Sequence, residues 1–271
     1  MRDVRLHVPA IRNRVTGKSM GEHCEEMAKT WDIGRQEQDQ VTLQSHQRAV
    51  AAQEAGFFTD LVIPVDGATR DAFPRRDTSL DALARLEPVF DRTSGKGTIT
   101  AASSSPLSDG AAGVWVASEA GLARLPPSVR RARLVDFQFG AVDIARDGLL
   151  MSPAFDIPRL LARNGLTYDD IGLYEIHEAF AAQLLCHLKA LDSPAFVRER
   201  AGVDVKLGTV PRDRINPNGG SVALGHPFAA TGARILSQTV KELAGARQGT
   251  RAIVSVCADG GVGCVALLEA T

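Results

Sequence analysis

The chain has 271 residues, 44% hydrophobic and 23% charged, the make-up of a globular protein with room for a real core. Its 31 basic side chains against 32 acidic ones give a net charge of −1, which supplies no general electrostatic attraction to nucleic acid or an anionic membrane surface. No apolar run approaches the roughly 18 residues of a membrane span. The N-terminus lacks the apolar region of a secretion signal. The four cysteines form no Cys-x-x-Cys pair that would suit a structural zinc, so a cytoplasmic chain with reduced thiols is expected.

In chain order, the first dozen residues read as extended. Met20, Cys24, Met27, Ala28 and Trp31 then fall at the spacing of an apolar helical stripe. A longer polar helix is expected over residues 36–55, stopped by Gly56 in a C-cap position. Residues 60–65 read as a short strand, 66–78 as a surface loop and 80–86 as a weak helix. The segment 109–118 carries the short apolar run of a buried strand and leads into a helix ending near Leu125. Pro126-Pro127 reads as a linker. Beyond it the rhythm alternates. Strands are expected at 133–140, 173–177, 251–257 and 264–269, and helices at 157–164, 180–191 and 229–244. That alternation predicts an α/β layer with helices covering a sheet. The glycine-rich stretch 258–263 should form a hairpin turn. Segments 109–118 and 261–269 echo one another, as in a duplicated sheet whose first copy is partly present.

Three stretches place chemistry at strand ends or helix starts, where α/β folds bind ligands. Gly225-His226-Pro227 precedes a helix and follows Asn216-Pro217-Asn218-Gly219-Gly220, turn formers that free the backbone. His177-Glu178-Ala179-Phe180 joins a strand to a helix. Cys257-Ala258-Asp259-Gly260-Gly261 closes a strand. Imidazoles and a thiol are acid–base and nucleophilic groups. Each also has a plainer reading: helix-capping histidines, a cysteine filling a strand end as a small apolar residue, and Glu178 as a favourable charge in a helix's first turn.

Taken together these blocks resemble the C-terminal part of the thiolase family, and the similarity runs over essentially the whole chain. His177-Glu-Ala-Phe resembles the family's Asn/His-Glu-Ala-Phe block. Asn218-Gly-Gly-Ser with Gly225-His-Pro resembles its histidine block, and Cys257 opens its terminal Cys-x-Gly-Gly-type block. Thr16-Gly-Lys-Ser-Met-Gly21, Ser45-His-Gln-Arg48, Phe90-Asp-Arg92, Gly97-Thr-Ile-Thr-Ala101 and Asp109-Gly-Ala-Ala112 also fit in order.

The resemblance implies a thiolase-type α/β fold with mixed sheets layered by helices and a mostly helical loop domain, its N-terminal half incomplete. Residues 1–13 would be a remnant of the first thiolase domain, 14–97 the loop domain covering coenzyme A, 98–120 the end of the first domain and 121–271 the C-terminal domain. It implies acyl transfer: cleavage of 3-ketoacyl-CoA with coenzyme A, or condensation of an acyl group with acetyl-CoA, through an acyl-cysteine. By resemblance His226 is the base that activates the thiol, and Cys257 the second acid/base at the α-carbon. His177 holds the water of one oxyanion hole, the backbone N–H of Asp259 serves the other, and Ser105 touches the pantetheine. His at position 177 resembles the branch linked to long-chain β-oxidation complexes. Coenzyme A is a substrate, and neither a metal nor a redox cofactor is implied. A homo-oligomer or a complementary N-terminal chain is the expected partner.

The family's acylated cysteine lies upstream of the first residue of this chain. Cys24 and Cys186 sit in helical patterns and Cys264 in a strand, so none offers the strand-to-helix setting of that nucleophile. A catalytically silent CoA-thioester-binding or scaffolding subunit is the alternative. Acidity at Asp259 is expected to push the Cys257 thiol upward.

Overall fold

The computed structural model describes residues 11–271. The reading of residues 1–10 as extended therefore lies outside the described residues. Helix α1 (Met20–Thr30) opens on a capping box: the Ser19 hydroxyl accepts from the Glu22 amide, and the Glu22 carboxylate accepts from the Ser19 amide. Its apolar stripe buries Cys24, Met27 and Ala28. Helix α2 (Arg35–Glu54) runs polar all round yet buries Thr42, Ser45, His46 and Ala49. Ser45 is a partner for the buried Glu178 carboxylate, while Ala49 and Ala52 pack against Phe58, Ala223 and Leu224. Gly56, at φ 72°, takes the left-handed turn beyond it. The short α3 (Leu80–Ala84) is capped by Ser79 and packs on α2.

Two sequence expectations fail here. Residues 60–65 form a turn that ends in a single Val65–Ala68 bridge, with Ile63 exposed and Asp60 drawn to Arg130 and Lys241. The run 109–117 is irregular, with Trp115 97% and Val116 85% exposed, and α4 (Glu119–Leu122) is a single turn. An apolar run becomes a strand only where a ladder partner satisfies its backbone, and among the described residues neither segment has one. The echo between 109–118 and 261–269 is thus not matched by structure.

The C-terminal half behaves as read. Strands β1 (Arg133–Ala141), β2 (Leu173–Ile176), β3 (Arg251–Ala258) and β4 (Val262–Glu269) form one mixed sheet in the order β1-β4-β3-β2. β2 and β3 run parallel, in register from Leu173↔Ala252 to Ile176↔Ser255, while β3 and β4 close the expected glycine hairpin. Side chains alternate between two cores, as the pleat requires. Tyr174, Ile176, Ile253, Val265 and Leu267 face the larger core with α6 (Ser152–Arg163) and α7 (Ala181–Leu191). Leu173, Ala252, Val254 and Leu268 face Ile235 and Leu243 of α9 (Ala230–Ala244). Two short helices escaped the periodicity: α5 (Ile144–Asp147), capped by Asp143, and α8 (Ser221–Leu224), which follows the glycines directly. α6 begins five residues before the expected position, at Ser152, because Pro153 suits a first turn.

Candidate active site

The site is built where β2 ends. Asn216 clamps that end: its Oδ1 accepts from the Ile176 amide at 2.8 Å, and its Nδ2 donates to the Ile176 carbonyl at 2.9 Å and to the Glu178 carboxylate at 2.7 Å. Glu178 is fully enclosed and accepts also from the Ser45 hydroxyl at 2.7 Å and the Val222 amide at 3.3 Å. Burial raises its pKa, and the donors from Asn216, Ser45 and Val222 pull it back. The plain reading of Glu178 as a surface charge in a helix's first turn is therefore wrong; it is a buried tie between α2, β2 and the 216–222 loop. That tie explains the glycine pair. A Cβ on Gly220 would stand 2.1 Å from the Glu178 carboxyl carbon, and one on Gly219, at φ 81°, would stand 2.6 Å from the Ser45 carbonyl oxygen.

On this frame the two site histidines meet. His177, 1% exposed, has its amide bonded to the Ser255 carbonyl of β3 at 2.9 Å. Its ring centroid lies 4.3 Å from that of His226, the planes tilted by 44°. His177 Nδ1 pairs with the Ser221 hydroxyl at 2.8 Å, while Nε2 is buried and has no partner among the described residues. The Nδ1 of His226 pairs with Thr231 Oγ1 at 2.7 Å, one turn into α9, and Phe228 covers the ring edge-on. Both imidazoles are held neutral. Burial, then the neighbouring His226 and the Arg234 guanidinium, depresses His177 well below the ordinary value. Burial, then Arg234, brings His226 to about 4.

The segment 103–108 threads between the two histidine stretches. The Ser105 amide donates to the Ala179 carbonyl at 3.0 Å, and the Ala181 amide to the Ser103 carbonyl at 2.9 Å. The His226 amide donates to the Pro106 carbonyl at 3.1 Å and to the Ser108 hydroxyl at 3.0 Å. Ser105 is thus carried beside both imidazole loops. Cys257 lies two residues beyond Ser255, at the same end of the sheet as His177, and is buried at 6% exposure. Among the described residues no hydrogen bond joins its thiol to either imidazole. Burial pushes that thiol up to about 12. Asp259 is not the cause: its exposed carboxylate turns to the Asn13 side chain at 2.8 Å and to the Gly260 amide. Cys24 and Cys186 are likewise raised by burial.

Four contributors were not singled out from sequence: Ser45, Asn216, Ser221 and Thr231. The partners of Ser45, Asn216 and Ser221 lie far along the chain, while Thr231 pairs with His226 across the start of α9.

The arrangement is a pair of neighbouring imidazoles, His177 at the carboxyl end of β2 and His226 on the loop between α8 and α9, the first with a buried ring nitrogen that has no partner among the described residues. Imidazoles so placed are suited to proton transfer. Comparisons with known proteins give the chain a family. The thiolase C-terminal domain model matches residues 129–270, and the thiolase N-terminal domain model matches residues 1–120. The 3-ketoacyl-CoA thiolase of Yersinia enterocolitica is 41% identical over 99% of this chain and 62% of its own length, and that of Yersinia pestis is equally similar. The acetyl-CoA acetyltransferase of Bacillus anthracis superposes with a TM-score of 0.78 at 31% identity, covering 99% of this chain and 66% of that one. The Acat5 thiolase of Ascaris suum, solved with coenzyme A, gives 0.75 at 27% identity over 98% and 64%. The chain belongs to the thiolase family, and it spans about 62% of the length of the curated relatives it matches.

Proposed function

We propose that this chain carries the acid–base and oxyanion-binding half of a thiolase reaction, acyl transfer between an acyl-cysteine and coenzyme A or acetyl-CoA. The observation that carries the reading is the close pair of neutral imidazoles, His177 and His226, with His177 Nε2 buried and unpartnered. With Nδ1–H donated to Thr231, His226 presents a bare Nε2 as a base for a thiol proton. Once protonated, the same nitrogen donates to the thioester oxygen. His177, directly or through a water, supplies a second donor to that oxygen. Preorganised donors of this kind are worth about 3–4 kcal/mol each in acyl-transfer transition states.

Cys257 exchanges a proton with the α-carbon of acetyl-CoA; its buried thiol is neutral at rest, which suits a group that must first give a proton. The Asp259 amide serves the second oxyanion, and Ser105 lies along the pantetheine. Residues 14–97 cover coenzyme A, 98–120 end the first domain and 121–271 form the second. None of the four cysteines lies at a strand-to-helix turn, so the acylated thiol comes from outside this set, as from a complementary N-terminal thiolase chain; the chain works with such a partner or as a homo-oligomer. The relatives named 3-ketoacyl-CoA thiolase support a 3-ketoacyl-CoA as the substrate class, and the proposed setting is the cytoplasm. Among the described residues no helix is long and apolar enough to cross a membrane.

The test is to incubate the purified native protein with a 3-ketoacyl-CoA and coenzyme A and resolve the thioesters by mass. Appearance of acetyl-CoA and the shortened acyl-CoA, abolished in His226→Ala, is expected. Binding of coenzyme A without conversion would favour the silent subunit instead.

A further inference from the structure

We infer that Ser221 and Arg234 act as positioning residues that fix the tautomer of His177, keeping its proton on Nε2. The inference rests on the thiolase reading for its purpose, but its physical content stands on three contacts. Arg234 Nη2 donates to Ser221 Oγ at 3.0 Å. Ser221 Oγ lies 2.8 Å from His177 Nδ1. His177 Nε2 is buried with no partner among the described residues.

A guanidinium only donates, whereas a hydroxyl has one proton and two acceptor sites. The direction at the Arg234 end is therefore fixed. Ser221 is fully buried, and among the described residues its hydroxyl meets no group except these two. If Nδ1 carried the proton, Ser221 would accept from both sides and its own proton would be stranded, a costly omission in a buried site. With the proton on Nε2, Arg234 donates to Ser221 and Ser221 donates to Nδ1, so the Nε2–H alone is left unpaired, whereas a proton on Nδ1 would leave both the Ser221 proton and the Nε2 lone pair unpaired. The open end is then an Nε2–H on a ring whose centroid lies 4.3 Å from that of His226. Such a chain of polarised bonds makes its last donor stronger.

The cation behind it is held without a direct ion pair among the described residues. Arg234 is enclosed and faces the carboxylates of Glu175, Asp71 and Glu178, while His226 and His187 are the other titratable groups facing His177. The family's histidine block thus does more than present His226. Ser221, which opens α8, and Arg234, within α9, orient the donor on the other loop.

The experiment uses the full chain with 15N-labelled histidine and two-bond 1H–15N correlation at neutral pH. His177 is assigned by the loss of its signals in His177→Asn. A neutral ring with its proton on Nε2 is expected. Ser221→Ala should lower the ratio of Nε2–H to Nδ1–H about tenfold, the worth of one hydrogen bond, and Ser221→Thr, which keeps the hydroxyl, should restore it. A wild-type proton on Nδ1 overturns the proposal with no variant needed, and so does an unchanged tautomer in folded Ser221→Ala. Because the readout needs no turnover, an inactive protein with Nε2–H intact would sink the thiolase reading alone.

Discussion

The 109–117 segment and the loop joining β2 to α7 make an instructive pair. The first is apolar, with Trp115 and Val116, yet lies exposed and irregular. The second carries a histidine and a glutamate, yet both are almost completely buried. Hydropathy alone would have reversed them. What separates them is whether each polar group finds a partner. The Glu178 carboxylate accepts from three elements distant in sequence, and the His177 amide continues the ladder with Ser255. Among the described residues, segment 109–117 has no neighbouring strand to complete it. Burial in this molecule follows satisfied hydrogen bonds as much as apolar content.

Removing the tie should break the second region most. Glu178→Ala strands the donors of Ser45, Asn216 and Val222 and is expected to cost about 3–5 kcal/mol, read as a lower midpoint in urea unfolding. Gly220→Ala keeps those groups but drives a methyl into the carboxylate, and should cost about 2–3 kcal/mol in the same measurement. A value near zero would mean that the loop yields easily and the comparison is overdrawn.

Acid sharpens the contrast further. His187 is buried between Gln183 and the Leu150 carbonyl, and burial brings it to about 4, below the ordinary imidazole range. Between about pH 6.5 and its folded value near 4, the unfolded chain binds the extra proton. Stability therefore falls as pH drops through that window and is flat above it for this group. The limiting slope is about 1.4 kcal/mol per pH unit. Glu175, raised from 4.5 to about 8 by burial, works the other way: between those values the folded chain holds the extra proton, so its contribution is full below the lower value and is lost as pH rises through the window. Comparing unfolding midpoints of wild type and His187→Gln at several pH values isolates the histidine, and the variant should show the shallower acid slope. Least of all, Trp115→Ser should change stability by no more than about 0.5 kcal/mol; a larger loss would show that the exposed run packs after all.

These differences also show what the sequence could reveal. The four strands and the helices α1, α2, α7 and α9 were legible because period and cap residues such as Ser19 and Gly56 act locally. Positions 177, 226 and 257 drew notice because their loops follow strand ends or precede helices, and the fold brings the rings of His177 and His226 to 4.3 Å. Ser221 and Arg234 lay in the block that drew most attention, but their meaning depends on His177, more than 40 residues earlier. Asn216 was read as a turn former, whereas its amide spans two strand-end groups and a carboxylate. Long-range hydrogen bonding leaves no periodic trace, so such residues become visible only in the fold.

The central claim is that these residues handle the acetyl-CoA half of a thiolase reaction, and hydrogen exchange at the α-carbon tests it without requiring an acylated cysteine. Acetyl-CoA would be incubated with the purified protein in D₂O and its methyl mass followed. Deuterium uptake is predicted for wild type and should fall by about 10²–10⁴-fold in Cys257→Ala, with urea unfolding confirming that the variant remains folded. Uptake no faster than in buffer, by a folded protein that binds acetyl-CoA, would contradict the account.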